Sequence, residues 1–378
     1  MIIERTEKKA GAQIVVGAQY GDEGKGKISA FLAFREQAVM VVRAGVGPNA
    51  EHGIFLAENG PYLKVNQLPL GWVLTKNSQI RIGSGVAVNP NLFLEEIKKF
   101  ELQERVMLDY RCPIITREHI QQEEKSKKME NIGSTFSGSG YCHADHALRV
   151  AKLARDIPEL NPYLTDVVVE INEIAGTDVV VVESSQGTYL SLAISPDYPN
   201  VTSDNVTAMA AADDVGLNWR KLKEVILVLK TMPTREGVGS LGSKELSPEE
   251  IKREGLQEYS SIGGVIRRKG RKINFEMLAY AVEINGATQI ALTFCDHYDP
   301  NVKGAGNRDQ VTKEIWRLVE RIQKETNVPV TMLETGKLWH NIVDLTDRNI
   351  DLSRIRGEIR FPINGFSMGQ PNNQNQIF

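Results

Sequence analysis

Phosphate binding and proton transfer are both possible in one short segment, the run Gly21-Asp22-Glu23-Gly24-Lys25-Gly26-Lys27. The run follows an apolar stretch at residues 13–16 and precedes a helix-like stretch at residues 25–34. Its backbone N–H groups and the helix N-terminus would therefore face an anion. The glycine and lysine spacing is nearly that of a P-loop, but residue 28 is Ile28, where a P-loop has the Ser or Thr that binds magnesium. Asp22 is then the candidate magnesium ligand.

Parallel strands and helices must position this loop. Short apolar runs predict buried strands, at residues 13–16, 38–42, 179–182, 225–229, 289–293 and 328–333. Helical patterns lie between several of them, at residues 92–100, 143–154, 275–284 and 310–326. This alternation predicts an α/β fold with a large, mostly parallel central sheet flanked by helices, a P-loop-like turn and long functional loops. Ligands of such sheets bind beyond the carboxyl ends of the strands.

The remaining sequence suggests one large domain. We predict a polar N-terminal lead-in at residues 1–11, a single large domain at 12–370 and a flexible tail at 371–378. Asn59-Gly60 predicts a hairpin turn between strands at residues 54–56 and 62–65. The charged residues 121–131 are predicted to be solvated.

Composition excludes some partners and indicates a compartment. Lys and Arg number 45 and Asp and Glu 48, for a net charge of -3, so no overall charge favours nucleic acid or a membrane surface. No apolar run approaches the roughly 20 residues needed to span a bilayer. The three cysteines are scattered, as is typical of a reducing compartment. We therefore expect a cytoplasmic protein.

The run from Val16 to Lys27 resembles the signature of the adenylosuccinate synthetase family. Four other segments resemble elements of that family, namely Asn49-Ala50-Glu51-His52, Ile132-Gly133-Ser134-Thr135, Glu183-Ser184-Ser185-Gln186-Gly187-Thr188 and Tyr198-Pro199-Asn200-Val201-Thr202-Ser203. The resemblance implies a ligase that replaces the 6-oxo group of a purine nucleoside monophosphate by the amine of L-aspartate. It also implies a nucleoside triphosphate as the driving substrate, Mg²⁺ as cofactor and a homodimer.

The resemblance assigns three catalytic residues. Asp22 would take the N1 proton of the base, His52 would support the 6-oxygen, and Gln186 would read the base. The resulting 6-oxyanion would accept the γ-phosphoryl group, and the amine of aspartate would then displace phosphate. Arg149 corresponds to an arginine that reaches into the partner subunit.

The other predicted site residues are grouped by ligand. The triphosphate set is Gly21, Glu23, Gly24, Lys25, Gly26, Lys27, His52, Gly53, Arg267, Asp296, Thr335, Gly336 and Lys337. The monophosphate set is Asn49, Ala50, Ser134, Thr135, Arg149, Gln186 and Thr202. The aspartate set is Ser261, Ile262, Gly263, Gly264, Arg267 and Arg268. The predicted magnesium ligands are Asp22 and Glu51.

Several positions depart from the family pattern. Glu51 replaces a glycine, Val265 an arginine, Phe294 a lysine and Glu334 a serine. A carboxylate such as Asp296 can accept hydrogen bonds from guanine or from the amino group of adenine. The phosphoryl donor is therefore left open between (d)ATP and GTP.

The sequence at residues 190–192 and 203–208 is similar to that of the archaeal and phage-type branch of the family. Some phage members of that branch use dGMP and make N6-succino-2-amino-2′-deoxyadenylate, on the route to 2-aminoadenine DNA. The N1–H and O6 edge is the same in IMP and GMP. With the changes at Glu51, Phe136 and Ser184-Ser185, we predict (d)GMP as the acceptor. Asp22 is retained, where some phage members carry a small hydroxyl residue.

Three alternatives stay open. One is an adenylosuccinate synthetase that uses IMP and GTP. A GTPase-like switch is another, although it would need a Ser or Thr after Lys27. The third is an inactive nucleotide-binding protein, which the departures at Glu51 and Val265 would permit.

Overall fold

Ten strands form one central sheet in the computed structural model, which describes residues 10–259 and 266–346. Two further antiparallel pairs, β3–β4 and β10–β11, lie outside this sheet. The strands are β1 (Gly11–Gly17), β2 (Met40–Arg43), β3 (His52–Phe55), β4 (Tyr62–Val65), β5 (Gln79–Ile82), β6 (Val106–Asp109), β7 (Leu164–Thr165), β8 (Val179–Glu183), β9 (Leu222–Lys230), β10 (Thr234–Arg235), β11 (Arg268–Lys269), β12 (Gln289–Thr293), β13 (Val330–Glu334) and β14 (Ile342–Asp344). The order across the sheet is β14-β13-β12-β9-β1-β8-β2-β5-β6-β7. Its neighbours are parallel except for the antiparallel pair β13–β14. The predicted large, mostly parallel sheet is confirmed.

The central strands are buried on both faces. Every residue of β1 and of β8 is buried, and β8 reads Val-Val-Val-Val-Glu. β-Branched side chains suit such a strand, because they pack well on a pleated surface that helices cover on both sides. Each fully buried Val or Ile contributes about 1.5–3 kcal/mol relative to an exposed one. Strand β1 pairs with β8 on one side and β9 on the other, so the loop after β1 lies at the middle of the sheet edge.

Helices cover the sheet and connect its strands. They are α1 (Lys25–Arg35), α2 (Pro90–Lys99), α3 (Arg117–Lys125), α4 (Lys127–Ile132), α5 (Ser139–Leu148), α6 (Val167–Ile174), α7 (Ala208–Asp214), α8 (Pro248–Arg253), α9 (Phe275–Asn285), α10 (Cys295–Tyr298) and α11 (Lys313–Thr326). The helices predicted at residues 25–34, 92–100, 275–284 and 310–326 are confirmed, with ends shifted by at most three residues. The predicted hairpin is also confirmed, since β3 and β4 pair antiparallel.

One helix prediction is too long. The helix expected at residues 143–154 is α5, which ends at Leu148 because Arg149 adopts a left-handed conformation with φ of 65°. The charged residues 121–131 are mostly exposed, as predicted, and lie in and between α3 and α4. Within α3, Glu123 is buried because its carboxylate accepts hydrogen bonds from the N–H groups of Gly138 (2.8 Å) and Gly140 (2.9 Å).

Some predicted segments lie outside the described residues. They include residues 1–9 of the lead-in, the aspartate-binding run at 261–264 with Val265, and the tail at 371–378 with the domain boundary at 370. Strand β1 begins at Gly11, the last residue of the predicted lead-in. In residues 10–259 and 266–346, every helix is too short or too polar to cross a membrane.

Candidate active site

The loops that follow the parallel strands carry most of the predicted site residues to one edge of the sheet. These loops hold Gly21–Lys27 after β1, Asn49–His52 after β2, Gln186 after β8, Asp296 after β12 and Thr335–Lys337 after β13. Since the carboxyl ends of parallel strands meet at one edge, residues far apart in sequence come into contact there.

Hydrogen bonds to Glu23, an acidic residue of the phosphate loop, stabilise that loop. Glu23 is buried, and its Oε1 accepts hydrogen bonds from the N–H groups of Gln19 and Gly21, both at 2.9 Å. Lys25 donates from Nζ to Glu23 Oε2 and to the carbonyl of Gly21, also at 2.9 Å. Helix α1 then begins after Gly24 (φ 83°). The first turn of α1 has no side-chain cap among the described residues. The structure thus leaves the first N–H groups of α1 as the anion-binding part of the loop.

Lys27 ties the phosphate loop to the loop after β13. Its Nζ donates to Glu334 Oε1 at 2.8 Å and to the carbonyl of Gly336. Glu334 Oε2 in turn accepts the N–H of Phe294 at 2.6 Å. The lysine expected on the triphosphate therefore binds protein acceptors in this structure, and its phosphate contact stays a prediction.

The other predicted triphosphate residues differ in what they offer a ligand. Burial, and then the nearby Glu334 carboxylate, raise the pKa of Asp296 to about 6. The hydroxyl of Thr335 is buried and donates to the carbonyl of Ala305 at 2.7 Å. Lys337 lies at the surface and pairs with Glu58 at 3.0 Å. Only Asp296 of these three presents an acceptor group suited to the amino or imino hydrogens of a base.

Asp22 is buried beside a cationic partner. Its Oδ2 accepts a hydrogen bond from Thr234 Oγ1 at 3.2 Å and lies 3.4 Å from Nε of Arg267. Burial raises the pKa of Asp22 to about 6, against the lowering effect of Arg267 and then Lys230. The group is therefore a carboxylate at neutral pH with a pKa close to the working range, as suits a general base.

Gln186 lies against the same loop. A Cβ atom at Gly21 would come within 3.0 Å of Gln186 Cα, so the two segments are in contact. Ser185 Oγ accepts the N–H of Val46 at 3.2 Å and donates to Gln186 Oε1. The amide oxygen of Gln186 is thereby engaged, and its NH2 group is left to donate to a ligand. A carboxylate and an amide donor on adjacent loops match the N1–H and O6 positions of a 6-oxopurine.

His52 packs beside the phosphate loop. A Cβ atom at Gly26 would lie 2.8 Å from the Cβ of His52. The Nδ1 atom of His52 contacts Glu183 Oε1, and Arg43 Nη1 lies 2.8 Å from the same Nδ1. Since a carboxylate only accepts, we take Nδ1–H as the donor to Glu183. Arg43 Nη1 then has Nε2 as its acceptor on this ring, at 3.4 Å, and a ligand at Nε2 would replace that contact.

The charges around His52 set its protonation. Burial, and then the Arg43 guanidinium, lower the pKa of His52 to about 4, so the free protein holds a neutral imidazole at pH 7. Burial opposes the ionisation of Glu183, but His52 and Arg43 outweigh it and hold the pKa of Glu183 below its usual range. Its carboxylate also accepts the N–H of Leu70 at 2.9 Å. An anion that formed next to Nε2 would favour the imidazolium, which Glu183 is placed to stabilise.

The predicted monophosphate residues form two neighbouring groups. Asn49 Nδ2 donates to Thr202 Oγ1 at 3.4 Å, which joins two segments far apart in sequence. Ser134 Oγ accepts the N–H of Phe136 at 3.1 Å and contacts Glu123 Oε2 at 3.5 Å. Buried Glu123 therefore shapes the loop that contains Ser134 and Thr135. Ala50 lies between Asn49 and the hairpin that begins at His52 and Gly53.

The donor set fits Mg²⁺ only if the substrate completes it. The described residues hold no group of three or more His, Cys, Asp or Glu side chains that could hold a metal ion. Glu51 pairs with Lys64 at 2.8 Å, and no described contact joins it to Asp22. Magnesium sites commonly use one or two carboxylates together with substrate phosphates. Asp22 beside the phosphate loop suits such a site, whereas the metal role of Glu51 stays a prediction.

Several residues of the site escaped prediction. Glu183, Arg43 and Thr234 contact predicted catalytic residues, Glu123 shapes the monophosphate loop, and Glu236 pairs with Arg267 at 2.8 Å. The available signal for Arg43 and Glu183 was a charged residue at the end of a buried strand, since they are the last residues of β2 and β8. The other contacts join distant segments and leave no local pattern.

The acidity of Asp22 predicts a pH dependence. Because the pKa is raised to about 6, Asp22 is protonated below that pH and cannot accept the N1 proton. We expect kcat/KM for the monophosphate to fall about tenfold per pH unit below pH 6 and to be level from pH 7 to 8. Steady-state rates between pH 5 and 8, with thermal melts to confirm folding, measure this. A profile that stays flat down to pH 5 would remove Asp22 as the base.

The sequence matches one protein family. A family model described as adenylosuccinate synthetase matches residues 14–159 and 150–303. The adenylosuccinate synthetase of Thermococcus onnurineus is 41% identical over 339 residues, which cover 88% of this chain and 98% of that protein. The adenylosuccinate synthetase of a Pyrococcus species is 42% identical over 341 residues, or 89% of this chain and 99% of that protein.

Two solved structures share the fold at lower identity. Fully ligated adenylosuccinate synthetase from Plasmodium falciparum superposes with a TM-score of 0.78 at 21% identity, covering 89% of this chain and 99% of that one. Cyanophage S-2L succinoaminodeoxyadenylate synthetase, bound to dGMP and to dATP as an energy donor, superposes with a TM-score of 0.74 at 23% identity. That match covers 89% of this chain and 95% of the cyanophage chain. Both matches support the same α/β architecture.

Proposed function

This chain belongs to the adenylosuccinate synthetase family and is a C–N bond-forming ligase, and from that premise we propose that it condenses L-aspartate with the 6-oxo position of (d)GMP. Members of the family bind a purine nucleoside monophosphate, aspartate and a nucleoside triphosphate. The product of the proposed reaction is N6-succino-2-amino-(deoxy)adenylate. The observation that carries the proposal is the contact between the Asp22 loop and Gln186, which pairs a carboxylate acceptor with an amide donor.

The proposed chemistry begins at the N1–H and O6 edge of the purine. Asp22 accepts the N1 proton, and the electrons of that bond move onto O6, which becomes an oxyanion. The NH2 group of Gln186 donates to O6. As the charge develops, Nε2 of His52 takes up a proton from solvent water and donates to the same oxygen, with Glu183 stabilising the imidazolium.

Phosphoryl transfer then makes the oxygen a leaving group. The triphosphate lies at the N-terminus of α1, where backbone N–H groups face its phosphates. O6 attacks the γ-phosphorus, and the diphosphate leaves. Mg²⁺, held by Asp22 and the phosphates, would neutralise charge on the transferring group. The amine of aspartate next attacks C6, and inorganic phosphate departs with the original oxygen. Arg267 and Arg268 are the described cations proposed to hold the aspartate carboxylates.

The preference for (d)GMP rests on sequence departures near the base and sugar. IMP and GMP present the same N1–H and O6 edge, so Asp22 and Gln186 serve either base. The changes at Glu51, Phe136 and Ser184-Ser185 relative to the family pattern are those expected of a remodelled purine pocket. The fold is compatible with this substrate, since the cyanophage enzyme of the same architecture binds dGMP and dATP. We propose (d)ATP or GTP as donor, because Phe294 and Glu334 stand where the family reads guanine.

IMP with GTP is the second candidate. The archaeal relatives at 41% and 42% identity are adenylosuccinate synthetases, and they cover nearly their full length in the match. A GTPase-like switch has less support, because Ile28 replaces the magnesium-binding hydroxyl and Lys27 is bound to Glu334. An inactive nucleotide-binding protein has little support, since Asp22, His52 and Gln186 are all present at the same sheet edge.

A substrate panel tests the choice. Phosphate release is measured with L-aspartate and either ATP or GTP, adding IMP, GMP or dGMP in turn. The proposal expects turnover that needs both aspartate and a monophosphate, with (d)GMP giving the highest kcat/KM. Aspartate-dependent turnover with IMP alone would assign the second candidate instead. Equal hydrolysis without any monophosphate would contradict a ligase.

We also propose a homodimer with Arg149 at the interface, in the cytoplasm or host cytoplasm. Arg149 is exposed at the end of α5, between Leu148 and Val150, which are 69% and 67% exposed. Two large apolar side chains on either side of a cation suit a buried interface better than free solvent.

A charge at this surface should break the dimer. We expect Leu148→Glu to shift the sedimentation coefficient from dimer to monomer at micromolar concentration, because the carboxylate would be desolvated on association. Val169→Glu, at an exposed apolar residue of α6 that is 51% exposed, is the matched control and should leave the dimer intact. A wild-type monomer at high concentration would contradict the proposal.

A further inference from the structure

Arg267 is already occupied by carboxylates of its own chain. Glu236 Oε1 accepts hydrogen bonds from both Nε (3.0 Å) and Nη2 (2.8 Å) of Arg267. The Oδ2 atom of Asp22 lies 3.4 Å from Nε on the same guanidinium. Both contacts lie on the edge of the guanidinium formed by Nε and Nη2. A substrate carboxylate can bind that edge with two hydrogen bonds only by displacing one of these two.

The two carboxylates differ in how firmly they are held. Asp22 is fixed by the hydrogen bond from Thr234 and by its place in the braced phosphate loop. Glu236 comes directly after the short strand β10 and is followed by Gly237 (φ 70°) and Gly239 (φ 107°). Its side chain is 25% exposed, against 15% for Asp22. Glu236 is therefore the partner that can leave Arg267 with little rearrangement.

We propose that Glu236 is an internal occupant of the site for the substrate's carboxylate, holding Arg267 until L-aspartate displaces it. This inference rests on the proposed function, since it takes Arg267 as an aspartate-binding residue. Glu236 compensates the charge of the largely buried Arg267 in the free protein. An unpaired guanidinium at this depth would be costly to desolvate.

The placement also explains why an acidic residue is kept beside a site for an acidic substrate. The loop that bears Glu236 lies close to the monophosphate loop, because a Cβ atom at Gly133 would come within 2.8 Å of Gly237 Cα. The site proposed for the substrate's carboxylate therefore lies next to the monophosphate loop.

Competition for Arg267 has a measurable consequence. In Glu236→Gln, a neutral amide replaces the carboxylate, so the entering aspartate displaces a weaker partner. We expect KM for aspartate to fall by about tenfold, with kcat and KM for the monophosphate changed by less than about twofold. Succinate, a dicarboxylate without an amine, should inhibit the variant with a similarly lower inhibition constant.

A neighbouring ion pair supplies the matched control. Glu254 pairs with Arg271 at 2.6 Å, on the same basic segment but without any described contact to Asp22, Arg267 or Arg268. Glu254→Gln removes an exposed carboxylate in the same way and should leave KM for aspartate within about twofold of wild type. Thermal melts of both variants establish that they are folded.

The outcomes separate this inference from the proposed function. If wild type shows aspartate-dependent turnover but KM for aspartate is the same in Glu236→Gln, Glu236 is no competitor and the inference is overturned. A changed KM for the monophosphate instead would mean that Glu236 contacts the nucleotide, which also overturns it. If wild type shows no aspartate-dependent turnover with any monophosphate, the proposed function fails first.

Discussion

Asp22→Asn is expected to lower kcat by about 10³-fold while the protein stays folded and binds its monophosphate. Removing a general base typically costs 10²–10⁴-fold, and this residue is also the proposed magnesium ligand. Asparagine keeps the size of the side chain and an oxygen that can accept from Thr234, so the loop should not collapse. Steady-state rates with aspartate, triphosphate and monophosphate measure the effect. Activity within tenfold of wild type would exclude Asp22 as the base.

The same substitution should make the protein more stable. Burial raises the pKa of Asp22 from 3.8 to about 6, so the folded state binds the proton more tightly than the unfolded chain. Wild type therefore loses stability as pH rises from about 4 to 6, and the loss is complete above that. Asparagine carries no charge to desolvate, so we expect a gain on the order of 1 kcal/mol at pH 8. A raised melting temperature with lost activity would identify a functional carboxylate kept at a cost in stability.

Asp214→Asn is the matched control for this pair of effects. Burial raises the pKa of Asp214 to about 7, and its Oδ2 accepts the N–H of Gly45 at 2.7 Å. Asparagine can keep that hydrogen bond, so the variant should also be stabilised at pH 8. Its kcat should stay within about threefold of wild type, because Asp214 is not part of the proposed chemistry. A loss of activity equal to that of Asp22→Asn would show that any buried carboxylate in this region is needed.

Glu183→Gln is expected to lower kcat by about 10²-fold with little change in KM for the monophosphate. Glutamine keeps an oxygen for His52 Nδ1–H and for the N–H of Leu70, but it cannot stabilise an imidazolium. Partners that orient and charge a catalytic group typically matter at this level or above. A positioning role of this kind predicts a split between kcat and KM, since ground-state binding does not need the charged form of His52.

A buried carboxylate that accepts hydrogen bonds from the same segment, residues 66–70, provides the control. Glu96 accepts the N–H groups of Asn66 (2.6 Å) and Leu68 (3.0 Å), two to four residues before Leu70, and has no described contact with His52. Glu96→Gln should therefore cost stability but leave kcat within about threefold of wild type. If both variants lost kcat equally, the effect of Glu183 would be structural, and its link to His52 would be rejected.

Local patterns were sufficient to predict the parts of the fold that position the phosphate loop. The apolar run in β1, the glycine-rich turn and the start of α1 at Lys25 are adjacent in sequence, so their order alone indicates a strand, an anion-binding turn and a helix. The central strands β8, β9 and β12 were also predictable, because strands buried on both faces read as continuous apolar runs.

Other elements had no such signal. The edge strands β7 and β14, and β5 and β6 beside β7, are short and mixed in polarity, so only their pairing with neighbouring strands identifies them. The end of α5 depends on Arg149 adopting a left-handed conformation. A glycine at that position would have predicted the helix end, but an arginine does not.

The electrostatics of the site were beyond sequence reasoning for a different reason. The ion pair of Lys27 with Glu334 joins residues 307 positions apart, and Glu183 meets His52 across 131 positions. Each residue type was visible, but only the fold shows that the predicted phosphate-binding lysine is held by a carboxylate.

The most direct test of the account follows the 6-oxygen itself. dGMP labelled with ¹⁸O at position 6 is turned over with L-aspartate and ATP, and the released inorganic phosphate is analysed by mass spectrometry. The account predicts one ¹⁸O atom in each phosphate released and a succinylated base that has lost the label. Phosphate without ¹⁸O, released while the label stays on the base, would mean that the triphosphate is hydrolysed by water and would contradict the proposed ligase.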